Sequence, residues 1–153
     1  MKDCRMEKSR QRGITLLELM IVVAIVAMVG AFAYPSYMEH VVSTKRTAAT
    51  STLLQVANRQ QQFFMDNKAY ANNLTNLGFA ANPLVIDDEG RSVAAGDPDA
   101  VYSVSLGNLS ATTFTATAAP LNGQLARDTD CGSLSLTQAG VRGASAGGQD
   151  CWR

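Results

Sequence analysis

The chain has 153 residues, 46% of them hydrophobic, with 13 basic and 13 acidic side chains, enough for one modest domain plus an appendage. The charge is unevenly placed: Lys2, Arg5, Lys8, Arg10 and Arg12 but only Asp3 and Glu7 precede Ile14, which leaves eight basic and eleven acidic residues from Ile14 onward. A mildly acidic remainder argues against a nucleic-acid-binding surface, so no nucleic-acid partner is expected.

Residues 1–13 form a basic leader, and residues 14–34 form an apolar run. As a helix rising 1.5 Å per residue, that run is about 31 Å long, the thickness of a bilayer's hydrocarbon core. Basic residues ahead of a first apolar helix hold that end in the cytoplasm, so the rest of the chain faces the other side. Inside the run sits one carboxylate, Glu18, among Leu16, Leu17, Leu19 and Met20. An acid at that depth is costly and marks a functional position. Three readings of the segment are open. It can be a signal anchor, or a secretory signal peptide cut after Ala31-Phe32-Ala33, which fits a small-x-small cleavage site. The third is a signal cut before the apolar run. Pro35 falls where the run ends, and proline removes an intrahelical hydrogen bond. Gly30 either loosens the same stretch or permits close helix packing.

Residues 36–66 read as an amphipathic helix, with Val42, Leu53, Val56, Ala57, Phe63 and Phe64 on one face. Lys45, Arg46, Arg59 and the glutamines are expected on the other. His40 has no partner in sequence and is read as solvated or packed rather than catalytic. Residues 67–100 look like a connecting loop with one helical turn near Leu74–Leu77. The acidic clusters Asp87-Asp88-Glu89 and Asp97/Asp99 lack the spacing of a calcium loop and read as acidic turns, so no metal is assigned. Three strands follow by strict alternation: Tyr102, Val104 and Leu106 in "VYSVSLG", Phe114, Ala116 and Ala118 in "TTFTATAAP", and Leu134 and Leu136 in "CGSLSLTQAG". Period two with one polar face predicts an antiparallel meander covered on one side by the helix, an α+β fold with a long N-terminal helix packed on a small sheet.

Cys4 lies in the leader, whereas Cys131 and Cys151 lie late, beyond the apolar run. In an oxidising compartment the late pair suggests a disulfide, with two partly buried free thiols as the alternative. Zinc is disfavoured, because only His40 could complete a four-ligand set. Residues 138–150 carry Gly140, Gly143, Gly147 and Gly148 with Val141 as the one sizeable apolar side chain. Alone they are expected to be flexible, and a cross-link would close them into a loop. Trp152, beside Cys151, is expected to pack on the head.

A short basic leader, then Gly13, then "ITLLE" and an unbroken apolar helix, resembles the class III signal of type IV prepilins and pseudopilins. The resemblance implies cleavage between Gly13 and Ile14 by prepilin peptidase, with methylation of the new N-terminal amine on Ile14. It also implies a pilin fold, and a pairing of Glu18 with the N-terminal amine of an adjacent subunit that sets register during assembly. A carboxylate so paired is tolerable in an apolar bundle where an unpaired one is not. In the family a proline at the place of Pro35 marks where the helix bends or melts as subunits pack. A C-terminal disulfide loop like one closed by Cys131 and Cys151 is also kept in the family. "ARDTDCGSLSLTQAGVRGA" and "DCWR" are similar to the C-terminus of PilE-type minor pilins. The implied divisions are leader 1–13, membrane and assembly half-helix 14–35, amphipathic half-helix 36–66, and residues 67–153 for the loop, sheet and disulfide loop.

No Ser/His/Asp set, catalytic carboxylate pair, phosphate-binding glycine loop or metal cluster is legible, so neither an enzyme nor a cofactor is expected. The implied role is a minor pilin: inner-membrane prior to assembly with its head periplasmic, then part of an extracellular pilus beside other major and minor pilins, and hence of twitching motility and adhesion. A major pilin, a type II secretion pseudopilin and a DNA-uptake pilin are the alternatives.

Overall fold

The computed structural model describes residues 13–148 and 150–152, and Cys4 and the leader lie outside them. The chain divides into two units, one ending at Met38 and the other running from Glu39 onward. Helix α1, Leu16–Asn67, belongs to both. In the first unit its apolar residues are exposed all round, from Leu16 through Tyr37, and the helix is long and apolar enough to cross a membrane. A helix apolar on every face has no water-facing side to offer. The helix continues through Pro35, although the proline ring cannot donate to the carbonyl one turn back.

In the second unit the apolar stripe of α1 is covered. Ala49, Leu53 and Val56 are fully buried at a spacing of four and three residues, one face of the helix. They pack on a five-stranded antiparallel sheet in the order β1-β2-β3-β4-β5. The strands are β1 Leu84–Ile86, β2 Tyr102–Gly107, β3 Thr115–Pro120, β4 Leu134–Thr137 and β5 Arg142–Ala144. Tyr102, Val104, Ala116, Ala118, Leu134 and Leu136 supply the sheet's inner face, as the alternation required. Phe114, just ahead of β3, is also fully buried, and its ring meets Tyr70 edge-on at 4.8 Å. A second helix, α2 Asn122–Arg127, connects β3 to β4.

Several expectations need correction. The sheet has five strands rather than three. All three residues of β1 are buried, so β1 shows no alternation and hides inside residues 67–100. Strand β5 is Arg-Gly-Ala, whose composition carries little β preference; its partner β4 imposes its conformation. The short turn Leu74–Leu77 is present, capped by the Asn73 side chain, which accepts from the Thr75 N–H at 2.9 Å. The polar face assigned to Arg46, Arg59 and the glutamines is only partly polar. Gln60 is fully buried and clasps Ala71, donating to its carbonyl at 2.9 Å and accepting its N–H at 2.8 Å. Arg59 donates to the Leu77 carbonyl at 3.0 Å and lies over the Phe79 ring at 4.3 Å.

Candidate functional site

Three places carry the chain's candidate chemistry. The first is the start of α1. Residues 13–15 precede the helix, Ile14 is exposed, and the space around Gly13 is open. The Gly13–Ile14 bond therefore lies in accessible, non-helical backbone. Helix formation begins immediately after it because Thr15 caps the first turn: its hydroxyl accepts the Glu18 N–H at 3.2 Å, and its carbonyl accepts the Leu19 N–H at 3.1 Å. Thr15 three residues ahead of Glu18 is the spacing of a capping box, a signal already present in the sequence. Glu18 lies in the first turn, where the helix dipole favours an anion, one turn from Ile14.

The second place is a buried polar cluster between α1 and the segment after α2. Asp128 has a side chain that is 0% exposed, and Arg46 reaches it with Nη2 at 2.8 Å and Nε at 2.9 Å. The other carboxylate oxygen accepts the Tyr102 hydroxyl at 2.7 Å and the Gln124 amide at 3.2 Å. The hydrogen bond to Asp128 makes the Arg46 guanidinium hold its proton more tightly, against the opposing effect of burial. Burial, reinforced by Asp128, pushes the Tyr102 phenol well above its ordinary value. Asp128 is thus an internal partner of Arg46. Nothing in the local sequence joins residues 82 positions apart.

The third place is the C-terminus. Cys131 and Cys151 form a disulfide with Cα atoms 5.6 Å apart, and both residues are buried. Trp152 is half-buried against the core, donates from its indole to the Gly143 carbonyl at 2.9 Å, and has the Arg142 guanidinium 5.4 Å from its ring centroid. The acidic turns are internally satisfied. Asp87 accepts the N–H groups of Glu89 and Arg91 at 3.0 and 2.9 Å and the Arg91 guanidinium at 2.8 Å. Burial pushes its pKa up, but these hydrogen bonds outweigh that and hold it below the usual range. Among the described residues, no group of three or more His, Cys, Asp or Glu is arranged to hold a metal ion. His40 is exposed, the solvated of its two readings.

Comparison with known proteins bears on the ends and the head together. Residues 8–34 match the prokaryotic N-terminal methylation motif. Residues 35–135, about two thirds of the chain, match the family model described as type IV minor pilin ComP, DNA uptake sequence receptor. The chain belongs to the type IV pilin family. It is similar to the type IV major pilin protein PilA of Myxococcus xanthus, 37% identical over 46% of this chain and 32% of that protein. It is also similar to a fimbrial protein of Pseudomonas aeruginosa, 32% identical over 54% of this chain and 56% of that protein. The chain thus spans a third to about half the length of these pilins. A solved type IV pilin from Shewanella oneidensis aligns at 24% identity and a TM-score of 0.49, covering 73% of this chain and 98% of that one. Members of the pilin family are structural subunits, and this chain is one rather than an enzyme.

Proposed function

We propose that this pilin is a minor subunit of a type IV pilus. The observation that carries the reading is the match of residues 35–135, most of the head, to the minor-pilin model. In this reading prepilin peptidase cuts between Gly13 and Ile14 and the new amine of Ile14 is methylated; the open backbone there and the methylation motif over residues 8–34 support it. Residues 14–35 hold the chain in the inner membrane with the leader cytoplasmic and the head periplasmic, and later join the helical core of the extracellular pilus beside major and minor pilins. Pro35 gives the helix a place to yield as subunits pack. Glu18 meets the Ile14 ammonium of a neighbouring subunit, and the pair sets axial register as a buried polar residue does in a coiled coil. Quantitative mass spectrometry of sheared pili is the test: the N-terminal peptide should begin at N-methyl-Ile14, in a small fraction of the main pilin's copies. A peptide beginning at Tyr34 would restore the signal-peptide reading, and copy parity with the main pilin would make this a major pilin.

A second reading, DNA uptake, is favoured by the same model's description as a DNA uptake sequence receptor. Arg127 and Arg142 are exposed, and Asp128, next to Arg127 in the sequence, is turned inside to Arg46. The contest is settled by titrating the purified chain with duplex DNA at several salt concentrations. Phosphate contacts give a steep loss of affinity with salt, and no binding at low salt removes this reading.

A further inference from the structure

The glycine-rich C-terminus was expected to need its cross-link in order to lie on the head. The structure holds it by other bonds as well. After the turn closed by Gly140, whose N–H donates to the Thr137 carbonyl at 2.9 Å, strand β5 runs antiparallel to β4, with Leu136 opposite Arg142, Ser135 opposite Gly143 and Leu134 opposite Ala144. The pairing then continues past both strands. Ser145 N–H donates to the Ser133 carbonyl at 2.9 Å, Ala146 N–H to that of Cys131 at 3.3 Å, and Gly148 N–H to that of Asp130 at 3.0 Å. Ser145 returns a side-chain bond, its hydroxyl accepting the Ser133 N–H at 2.9 Å. Residues 141–148 are thus laced along residues 130–137 chiefly by backbone bonds.

The glycines are what permit this approach. A Cβ on Gly148 would overlap the Asp130 carbonyl, one on Gly143 would come within 2.6 Å of the Ser135 hydroxyl, and one on Gly132, at φ +60°, would overlap the Ser145 hydroxyl. Gly148 meets rigid backbone that cannot step aside, so only hydrogen fits there. A tail tethered solely by a disulfide would have no need of three such fits. The lacing also sets Cys131 beside the returning chain through its own carbonyl, independently of its sulfur. Beyond the ladder, the Trp152 indole bonds back to Gly143.

We propose that the C-terminal segment is a self-closing strap: residues 141–148 and 150–152 dock on the head without the Cys131–Cys151 bond, and the disulfide locks a strap already closed. The surface presented by Arg142 and Trp152 then exists in reduced and oxidised protein alike. The strap opens when the ladder breaks at Gly148, not when the sulfurs part.

Trp152 is the sole tryptophan, so its fluorescence reports the strap directly. The full chain carrying Cys131→Ala and Cys151→Ala is purified in detergent micelles and Trp152 is quenched with acrylamide at a temperature where the sheet signal is intact. The expected quenching constant is that of the oxidised parent. Adding Gly148→Val to the same chain should raise it to the value of the urea-unfolded protein. The proposal is overturned if the chain carrying both alanines fails to form its sheet. It is equally overturned if Trp152 is as accessible there as in urea, or if Gly148→Val leaves it shielded.

Discussion

Replacing Asp128 with alanine tests the polar cluster at its centre. In the parent, its carboxylate takes two donors from Arg46 on one oxygen and one each from Tyr102 and Gln124 on the other. Asp128→Ala removes all four acceptances at once. The Arg46 side chain, 18% exposed, is left as a mostly desolvated charge without its hydrogen-bonded partner, offset only by the more distant Asp130, and the Tyr102 hydroxyl loses its acceptor. Removing one member of a buried pair costs about 3–5 kcal/mol, a large share of the roughly 5–15 kcal/mol that holds a domain together. For a head of this size that corresponds to a fall of about 12–20 °C in midpoint. The assay is thermal unfolding of the full chain in detergent, followed by Trp152 fluorescence, which reports the head rather than the micelle-bound helix. The control is Arg46→Met with Asp128→Leu: with both charges gone, most of the lost stability should return, because an apolar pair of similar volume is often neutral, and the cycle isolates the coupling. A loss under about 1 kcal/mol for Asp128→Ala is what a solvent-exposed pair would give, and it would refute the argument from burial.

The raised Tyr102 pKa carries a sign that can be checked. Above the ordinary phenol value of 10.0 the unfolded chain sheds this proton while the folded head keeps it, so stability should fall as pH rises past 10. Urea midpoints of the parent should drop there, and Tyr102→Phe should flatten that limb while costing about 1 kcal/mol near neutrality. Gln60→Ala orphans both the N–H and the carbonyl of Ala71 and should cost about 1–3 kcal/mol for each group left buried and unpaired, read from the same midpoints. Glu18→Leu should leave insertion into membranes intact. Its content in sheared pili should fall about tenfold, the equivalent of roughly 1.4 kcal/mol of subunit contact; parental amounts would leave the carboxylate with no part in register.

Much of this pilin was determined locally. The run from Ile14 to Tyr34 is apolar on every face whatever lies around it, and Glu18 is conspicuous for the same reason. The three strands of strict alternation were legible because a sheet with one covered face repeats every two residues. The Cys131–Cys151 pair was legible because only two cysteines follow the apolar run. What the tertiary structure decided is of another kind. Strand β1 is buried throughout and so has no alternation to show, and β5 has no β-forming side chains and is a strand only because β4 offers it a partner. Arg46, Gln60 and Asp128 are polar residues that sequence reasoning places on the surface. Each is drawn inside by a partner that the fold brings near, and burial of a polar group is tolerable only where that partner waits. The tail's glycines read as flexibility in the sequence. In the fold Gly143 and Gly148 are points of close approach while Gly140 and Gly147 face open space, because whether a missing side chain means freedom or contact depends on what lies against it.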